Sequence, residues 1–211
     1  MKISILGAGR VGGNLASTLA KKGHDVTLGH RDPAAASARW QGPAVRHASL
    51  AEAAAESPLV IHATPGVTAL QTLSALKTAL QGKVLLDISN ATERLPSGMP
   101  GGLCYPDSSL AEQLQTALPQ TRVVKSLNTM LFSVMTAPRS LSAPPTVFVS
   151  GNDAEAKSVV RALLSELEWP EEWILDLGQI ESARATEALI LMVPHLIGAK
   201  GFQPFAVSAV F

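Results

Sequence analysis

A single cysteine, Cys104, stands among 211 residues, so the chain holds no internal disulfide and no cysteine-rich metal site, and it fits a reducing compartment. Aromatic residues are scarce, at 4%. Net charge is absent, since 17 Lys and Arg balance 17 Asp and Glu. No basic face therefore announces a nucleic acid, and no acidic tail announces a solvating segment. Long hydrophobic runs are missing as well. The opening MKISILGAGR meets glycine too soon for the apolar region of a signal peptide. Ala188 to Ala199 contains Pro194 and His195 and falls short of the roughly 20 residues of a membrane span. These absences point to a soluble, cytoplasmic protein whose partner is a small molecule, with neither nucleic acid nor membrane among its partners.

What is present is alternation. Apolar runs of strand length occur at Ile3–Leu6, Val26–Leu28, Leu59–Ile61, Val84–Leu86, Val123–Val124 and Val147–Val149, with Trp173–Leu175 as a last edge. Ala- and Leu-rich stretches near 11–22, 49–56, 67–80, 108–118 and 153–167 have helical spacing, the last opened by a cap at Asn152-Asp153. Near-continuous apolar strands alternating with helices require a sheet covered on both faces. The expectation is an α/β fold: a Rossmann-type, doubly wound, mainly parallel sheet over residues 1–180, followed by a small C-terminal helical segment at 181–211. Leu95–Pro106 and Thr136–Pro145 read as loops or lids. The terminal piece reads as a single helix, ESARATEALILMVP, and an apolar tail, FQPFAVSAVF.

The first strand runs straight into Gly7-Ala8-Gly9-Arg10-Val11-Gly12. In this context each glycine has a task. Gly7 permits the tight turn, Gly9 lets the backbone approach a pyrophosphate, and Gly12 allows close helix–strand packing, while free N–H groups at the helix start, from Arg10 and Val11 on, face the phosphates. A dinucleotide site is expected. In the NAD version an acid ends the second strand and binds the ribose hydroxyls. Here that stretch is LGHRDP, residues 28 to 33. Asp25 comes too early, and Asp32 before Pro33 reads as a helix cap. Arg31 offers a guanidinium to a 2′-phosphate, and His30 adds a ring donor beside it. NADP(H) is therefore expected over NAD(H).

Ligands in such sheets lie beyond the carboxyl ends of the strands. That singles out Thr64 and Pro65 for the ribose and nicotinamide side. Asn90 is a further cofactor contact, and Asn128, Thr129 and Met130 are contacts for a second substrate. His62 reads as a satisfied histidine within a strand, with proton donation as the alternative, and His195 carries the same two readings. No catalytic residue is named. The chain has no Ser–His–Asp order, no HExxH and no metal-spaced cluster. A hydride passing between two ring cofactors does not demand a side-chain acid or base, which weights the reading toward such a transfer.

The segments ILGAGRVGGNLA, VTLGHR, LLDISNA, RVVKSLNTM, FVSGNDAEAKSVVRALLSEL and LDLGQIESARATEALILM together resemble the NADPH-dependent reductases of the 8-hydroxy-5-deazaflavin coenzyme, the coenzyme F420-dependent NADP oxidoreductase family. The resemblance implies a homodimer, a C-terminal portion covering the cleft, and hydride exchange between NADP and the deazaflavin or a flavin-like acceptor. It maps the family's glycine loop onto Gly7, Gly9 and Gly12 and its phosphate-binding pair onto His30 and Arg31. Similar strand-end motifs occur in the cytosolic domain of membrane ferric reductases. Two positions depart from the pattern: His30, where a small hydroxyl residue is common, and Asn128, where the archaeal enzymes carry histidine. The tail after Met192 also diverges. Other readings are reduction of a small carbonyl or imine, whose enzymes add a large helical domain that about 30 residues after Glu181 cannot build, and a non-catalytic NADPH sensor. Ala188, Leu189, Met192 and Leu196 read as a core or dimer stripe rather than a ligand wall. Arg184 and Glu187 read as a surface pair.

Overall fold

The computed structural model describes residues 1–211. Its main sheet has eight strands: β1 (Lys2–Leu6), β2 (Asp25–His30), β3 (Arg46–Ser49), β4 (Leu59–His62), β5 (Val84–Asp87), β8 (Arg122–Ser126), β9 (Val147–Gly151) and β10 (Ile174–Asp176). A separate hairpin joins β6 (Thr92–Arg94) to β7 (Pro100–Leu103). The order across the main sheet is β10-β9-β8-β5-β4-β1-β2-β3, parallel except where β9 runs against β8. The expected doubly wound, mainly parallel sheet is what the chain forms. Its winding reverses between β1 and β4, and a crevice opens there beyond the strand ends.

Helices cover both faces. The α-helices are α1 (Arg10–Lys21), α2 (Pro33–Arg39), α3 (Leu50–Glu56), α4 (Gly66–Ser74), α5 (Lys77–Leu80), α6 (Leu110–Ala117), α7 (Phe132–Met135), α8 (Ala154–Glu166), α9 (Ala183–Ala188) and α10 (Val193–Lys200). One apolar cluster gathers Leu15 and Leu19 of α1 with Val160 and Leu163 of α8 beneath the sheet. The other gathers Ala53, Leu73, Leu110 and Leu114 on the opposite face. Caps start the helices where the sequence offers them. Asp32 accepts from Ala35 N at 3.0 Å, Asp153 from Ala156 N at 2.7 Å, and Ser49 forms a capping box with Glu52.

Three expectations need correction. β3 was not anticipated, because RHAS carries one short apolar residue and pairs only along the β2 edge. Part of the 95–106 stretch read as loop is a strand, β7, held by pairing Thr92 with Leu103 and Arg94 with Pro100. The terminal helix is three consecutive pieces, with a 3-10 stretch at Leu189–Met192 between α9 and α10. The tail then returns as an extended segment: Leu131 N donates to Phe205 O at 2.9 Å, and Thr146 N donates to Val207 O at 3.0 Å.

Candidate active site

The glycine loop is shaped by its missing side chains. Gly7 sits at φ +99, and a Cβ there would lie 2.7 Å from Ala63 O. A Cβ on Gly12 would lie 1.9 Å from Gly7 O, so this glycine sets how closely α1 approaches the turn. Gly9 is different: no protein atom lies within 4 Å of its notional Cβ. It is the N-cap of α1 with no side-chain hydrogen bond to the helix start. The first N–H groups of α1 therefore remain free, beside a cradle that a methyl group would fill, and this fits a pyrophosphate.

At the carboxyl end of β2, Arg31 is exposed and His30 is half-buried. His30 Nε2 lies 2.9 Å from His47 Nδ1 on β3, with the ring centroids 5.0 Å apart and the ring planes 18° from parallel, so the two rings meet edge to edge. Burial lowers the pKa of both imidazoles, and the nearby His47 charge lowers that of His30 further.

A charged network lies under the neighbouring strand ends. His62 Nδ1 is 2.9 Å from Asp87 Oδ1, and Lys125 Nζ is 2.9 Å from Asp87 Oδ2 and 2.8 Å from Glu187 Oε1. All four residues are buried. Burial alone would raise the Asp87 carboxyl, but the Lys125 ammonium and the His62 hydrogen bond outweigh it and hold the carboxyl well below the usual range. Burial likewise opposes the charge on Lys125, and the carboxylates of Asp87 and Glu187 overcome it, so the ammonium is raised. Glu187 also accepts from Leu110 N and Ala111 N at the start of α6. With Nδ1 turned to Asp87, His62 Nε2 pairs with the Thr64 hydroxyl, 2.7 Å away. The satisfied-histidine reading of His62 describes this arrangement, and Thr64 is oriented from below.

The glycine loop, the end of β2 and the strand ends above the charged network open onto one cleft of about 1440 Å³. Gly7, Gly9 and Val11 lie at one end with His30 and Arg31. Thr64, Pro65 and Asn90 line it, as do Asn128, Thr129 and Met130, and Leu189, Met192, Leu196 and Phe205 also face it. The family model described as NADP oxidoreductase coenzyme F420-dependent matches residues 2–91. An F420-dependent NADP reductase of Methanocaldococcus jannaschii is 30% identical over 213 residues, which cover 94% of this chain and 92% of that protein. The chain belongs to the coenzyme F420-dependent NADP oxidoreductase family. A protein of Arthrobacter sp. FB24, provisionally assigned as an F420-dependent NADP-reductase, superposes with a TM-score of 0.90 at 40% identity over 100% of both chains. Metalloreductase STEAP3 of Rattus norvegicus is 30% identical over 191 residues, but this chain spans only 36% of its length.

Within this F420-dependent oxidoreductase fold, some residues stand differently from their sequence reading. Asn90 and Asn128 clasp each other: Asn90 Nδ2 donates to Asn128 O at 2.9 Å, and Asn128 Nδ2 donates to Asn90 Oδ1 at 3.0 Å. Arg10 faces a neighbouring shallow groove and does not line the main cleft, while Gly12 is buried in the close packing read for it. Leu189, Met192 and Leu196 line the cleft and none is buried in the core, which corrects the core half of that reading. Arg184 pairs with Glu112, Nε to Oε2 at 2.8 Å, and not with Glu187, which is drawn inward to Lys125. His195 is exposed and off the cleft. Sequence reasoning gave Asp87, Lys125 and His47 no role, and took Glu187 only for a surface partner of Arg184. A charge set inside an apolar strand, as in LLD and VVKS, was the available signal, because a buried charge needs a partner.

Proposed function

We propose that NADP(H) lies across the glycine loop with its 2′-phosphate at Arg31 and His30, and that the chain exchanges hydride between it and a deazaflavin of the coenzyme F420 type or a flavin-like acceptor. The size of the cleft carries this reading. Its volume of about 1440 Å³ exceeds the roughly 300–1,000 Å³ of ordinary ligand pockets, leaving room for a second ring system beside a dinucleotide. When bound, the dihydronicotinamide supplies a hydride, and the acceptor ring carries its own site for the balancing proton. The protein's task is then alignment and exclusion of water. Residues 1–180 hold the dinucleotide, with Thr64, Pro65 and Asn90 toward the ribose and nicotinamide. Residues 181–211 cover the cleft, and Asn128, Thr129 and Met130 meet the acceptor.

Purified protein mixed with NADPH and a panel of deazaflavin, flavin, carbonyl and imine acceptors tests the reaction. Loss of nicotinamide absorbance with the deazaflavin or a flavin is expected. Turnover only with a carbonyl or imine would replace this acceptor, and tight NADPH binding without any turnover would indicate a sensor. Arg31→Ala is expected to weaken NADPH binding by about tenfold or more, the scale of a lost charge-assisted phosphate contact, with NADH little changed. An unchanged NADPH preference would remove Arg31 from this role.

We further propose a cytoplasmic homodimer formed through the C-terminal segment. No helix is long and apolar enough to cross a membrane. Val210 and Phe211 are 88% and 101% exposed, and Leu191 and Phe202 also stand out from the surface. Val210→Asp with Phe211→Asp should yield a monomer by sedimentation, and a wild-type protein already monomeric would end the proposal.

A further inference from the structure

The histidine pair at the end of β2 holds more than the assignment of a phosphate contact to His30. His30 lines the cleft, whereas His47 stands behind it and does not. His47 lies between the His30 ring and the edge of Trp40, whose ring centroid is 5.8 Å away at an interplanar angle of 69°. Trp40 is itself tied down, donating from Nε1 to Pro43 O at 2.7 Å.

The proton positions follow from one orphaned atom. His47 Nε2 is buried with no hydrogen-bond partner. A proton there would be a buried donor without an acceptor, the costlier way to leave a nitrogen unpaired, so neutral His47 carries its proton on Nδ1. That proton points at His30 Nε2, 2.9 Å away, which must then accept. Neutral His30 is left with its proton on Nδ1, and Nδ1 has no partner within the protein and is not a buried orphan. A ring that is free to exchange tautomers is thereby fixed with its Nδ1–H unpaired, in a residue that lines the cleft as Arg31 does.

We propose that His47 is a positioning residue for the 2′-phosphate of NADP(H), selecting the nucleotide by donating to His30 Nε2 and holding the His30 Nδ1–H toward the phosphate. The inference rests on the nucleotide reading above. It adds a determinant from β3 that does not touch the ligand. The fixed imidazole offers one oriented donor that needs no proton from solvent, and the guanidinium supplies the charge. The 2′-hydroxyl of NAD(H) gains far less from the same N–H, because a donor bonds an ionised oxygen more strongly than a neutral one.

The test uses the full chain and pure NADP⁺ and NAD⁺ in equilibrium titrations of wild type, His47→Phe, His47→Asn and Arg31→Ala. Phe keeps an aromatic ring at this place and removes the donor. Asn keeps an amide N–H at the place of Nδ1 without the imidazole. His47→Phe should weaken NADP⁺ by about five- to tenfold, the loss of one hydrogen bond to a charged group, and leave NAD⁺ within about twofold. His47→Asn should keep most of the NADP⁺ affinity. Nitrogen-15 spectra of labelled histidine, without nucleotide, should show His30 as the Nδ1–H tautomer in wild type and a mixture in His47→Phe. The proposal is overturned if His47→Phe leaves NADP⁺ affinity unchanged, if it weakens both nucleotides equally, or if His47→Asn loses as much as His47→Phe. Arg31→Ala separates the two levels. Should it leave the NADP⁺ to NAD⁺ ratio untouched, the phosphate is not at this edge and the underlying reading fails too. Should it collapse the ratio while His47→Phe does not, only the role of His47 is lost.

Discussion

Asp87 receives donors from three residues. His62 and Lys125 reach its two carboxylate oxygens, and Ser89 N and Oγ donate to Oδ1 at 3.0 and 2.8 Å. Lys125 is the only cation set between Asp87 and Glu187 in this network. A buried pair contributes little net stability over an apolar substitute, but removing one partner leaves the others charged without compensation. Lys125→Met should therefore cost about 3–5 kcal/mol in denaturant unfolding, a large share of the about 5–15 kcal/mol that holds a typical domain folded. Adding Asp87→Asn and Glu187→Gln to that variant should recover most of the loss, since the triple variant buries amides in place of charges. A Lys125→Met protein within about 1 kcal/mol of wild type, less than one typical hydrogen bond to a charged group, would show that the network is not held by charge.

The start of α1 combines two glycines with opposite sensitivities. Gly9 has φ −67 and ψ −167, which alanine adopts without strain, and open space where a Cβ would stand. Gly9→Ala should leave stability unchanged or raise it by about 0.4–1 kcal/mol through the unfolded chain, while NADPH affinity falls, because the methyl occupies the phosphate's approach. Gly12→Ala drives a Cβ into the Gly7 carbonyl and should lower the melting temperature itself. Thermal melts with and without NADPH on both variants check the contrast, and equal melting losses would contradict it. The same scale explains what could be read from sequence. The glycine loop and the apolar runs of the buried strands were legible because a parallel sheet covered on both faces demands continuous apolar residues. β3 was illegible, with His47 on it, because an edge strand of four residues has only one neighbour to satisfy. Lys125 pairs with Glu187 62 positions away, and helical spacing at Arg184 and Glu187 suggested a local pair that the distant ammonium outcompetes.

Across the whole molecule, the shifted groups bound a pH window in which the fold is most stable. His30 and His47 have pKa values lowered from the usual 6.5, so below 6.5 the unfolded chain binds protons that the folded pair resists, and stability declines as pH falls. Asp87 is depressed from 3.8, so its contribution is complete above that value and is lost as pH falls through the folded pKa. Glu52, Glu56, Glu112 and Glu168 are lowered from 4.5 and act in the same direction. Lys125 is raised from 10.5, so its contribution is complete below 10.5 and is lost as pH rises through its higher folded value. Burial raises Cys104 from 9.0 and Tyr105 from 10.0, so melting temperature should be level only from about neutrality to 9.0, with a shallow decline beginning below 6.5 and a steeper one below 4.5. His30→Phe combined with His47→Phe removes both imidazoles and should abolish the shallow limb while leaving the steeper one in place. If that variant keeps the decline between 6.5 and 4.5, the histidine pair is not its source, and the proton uptake must come from elsewhere in the chain.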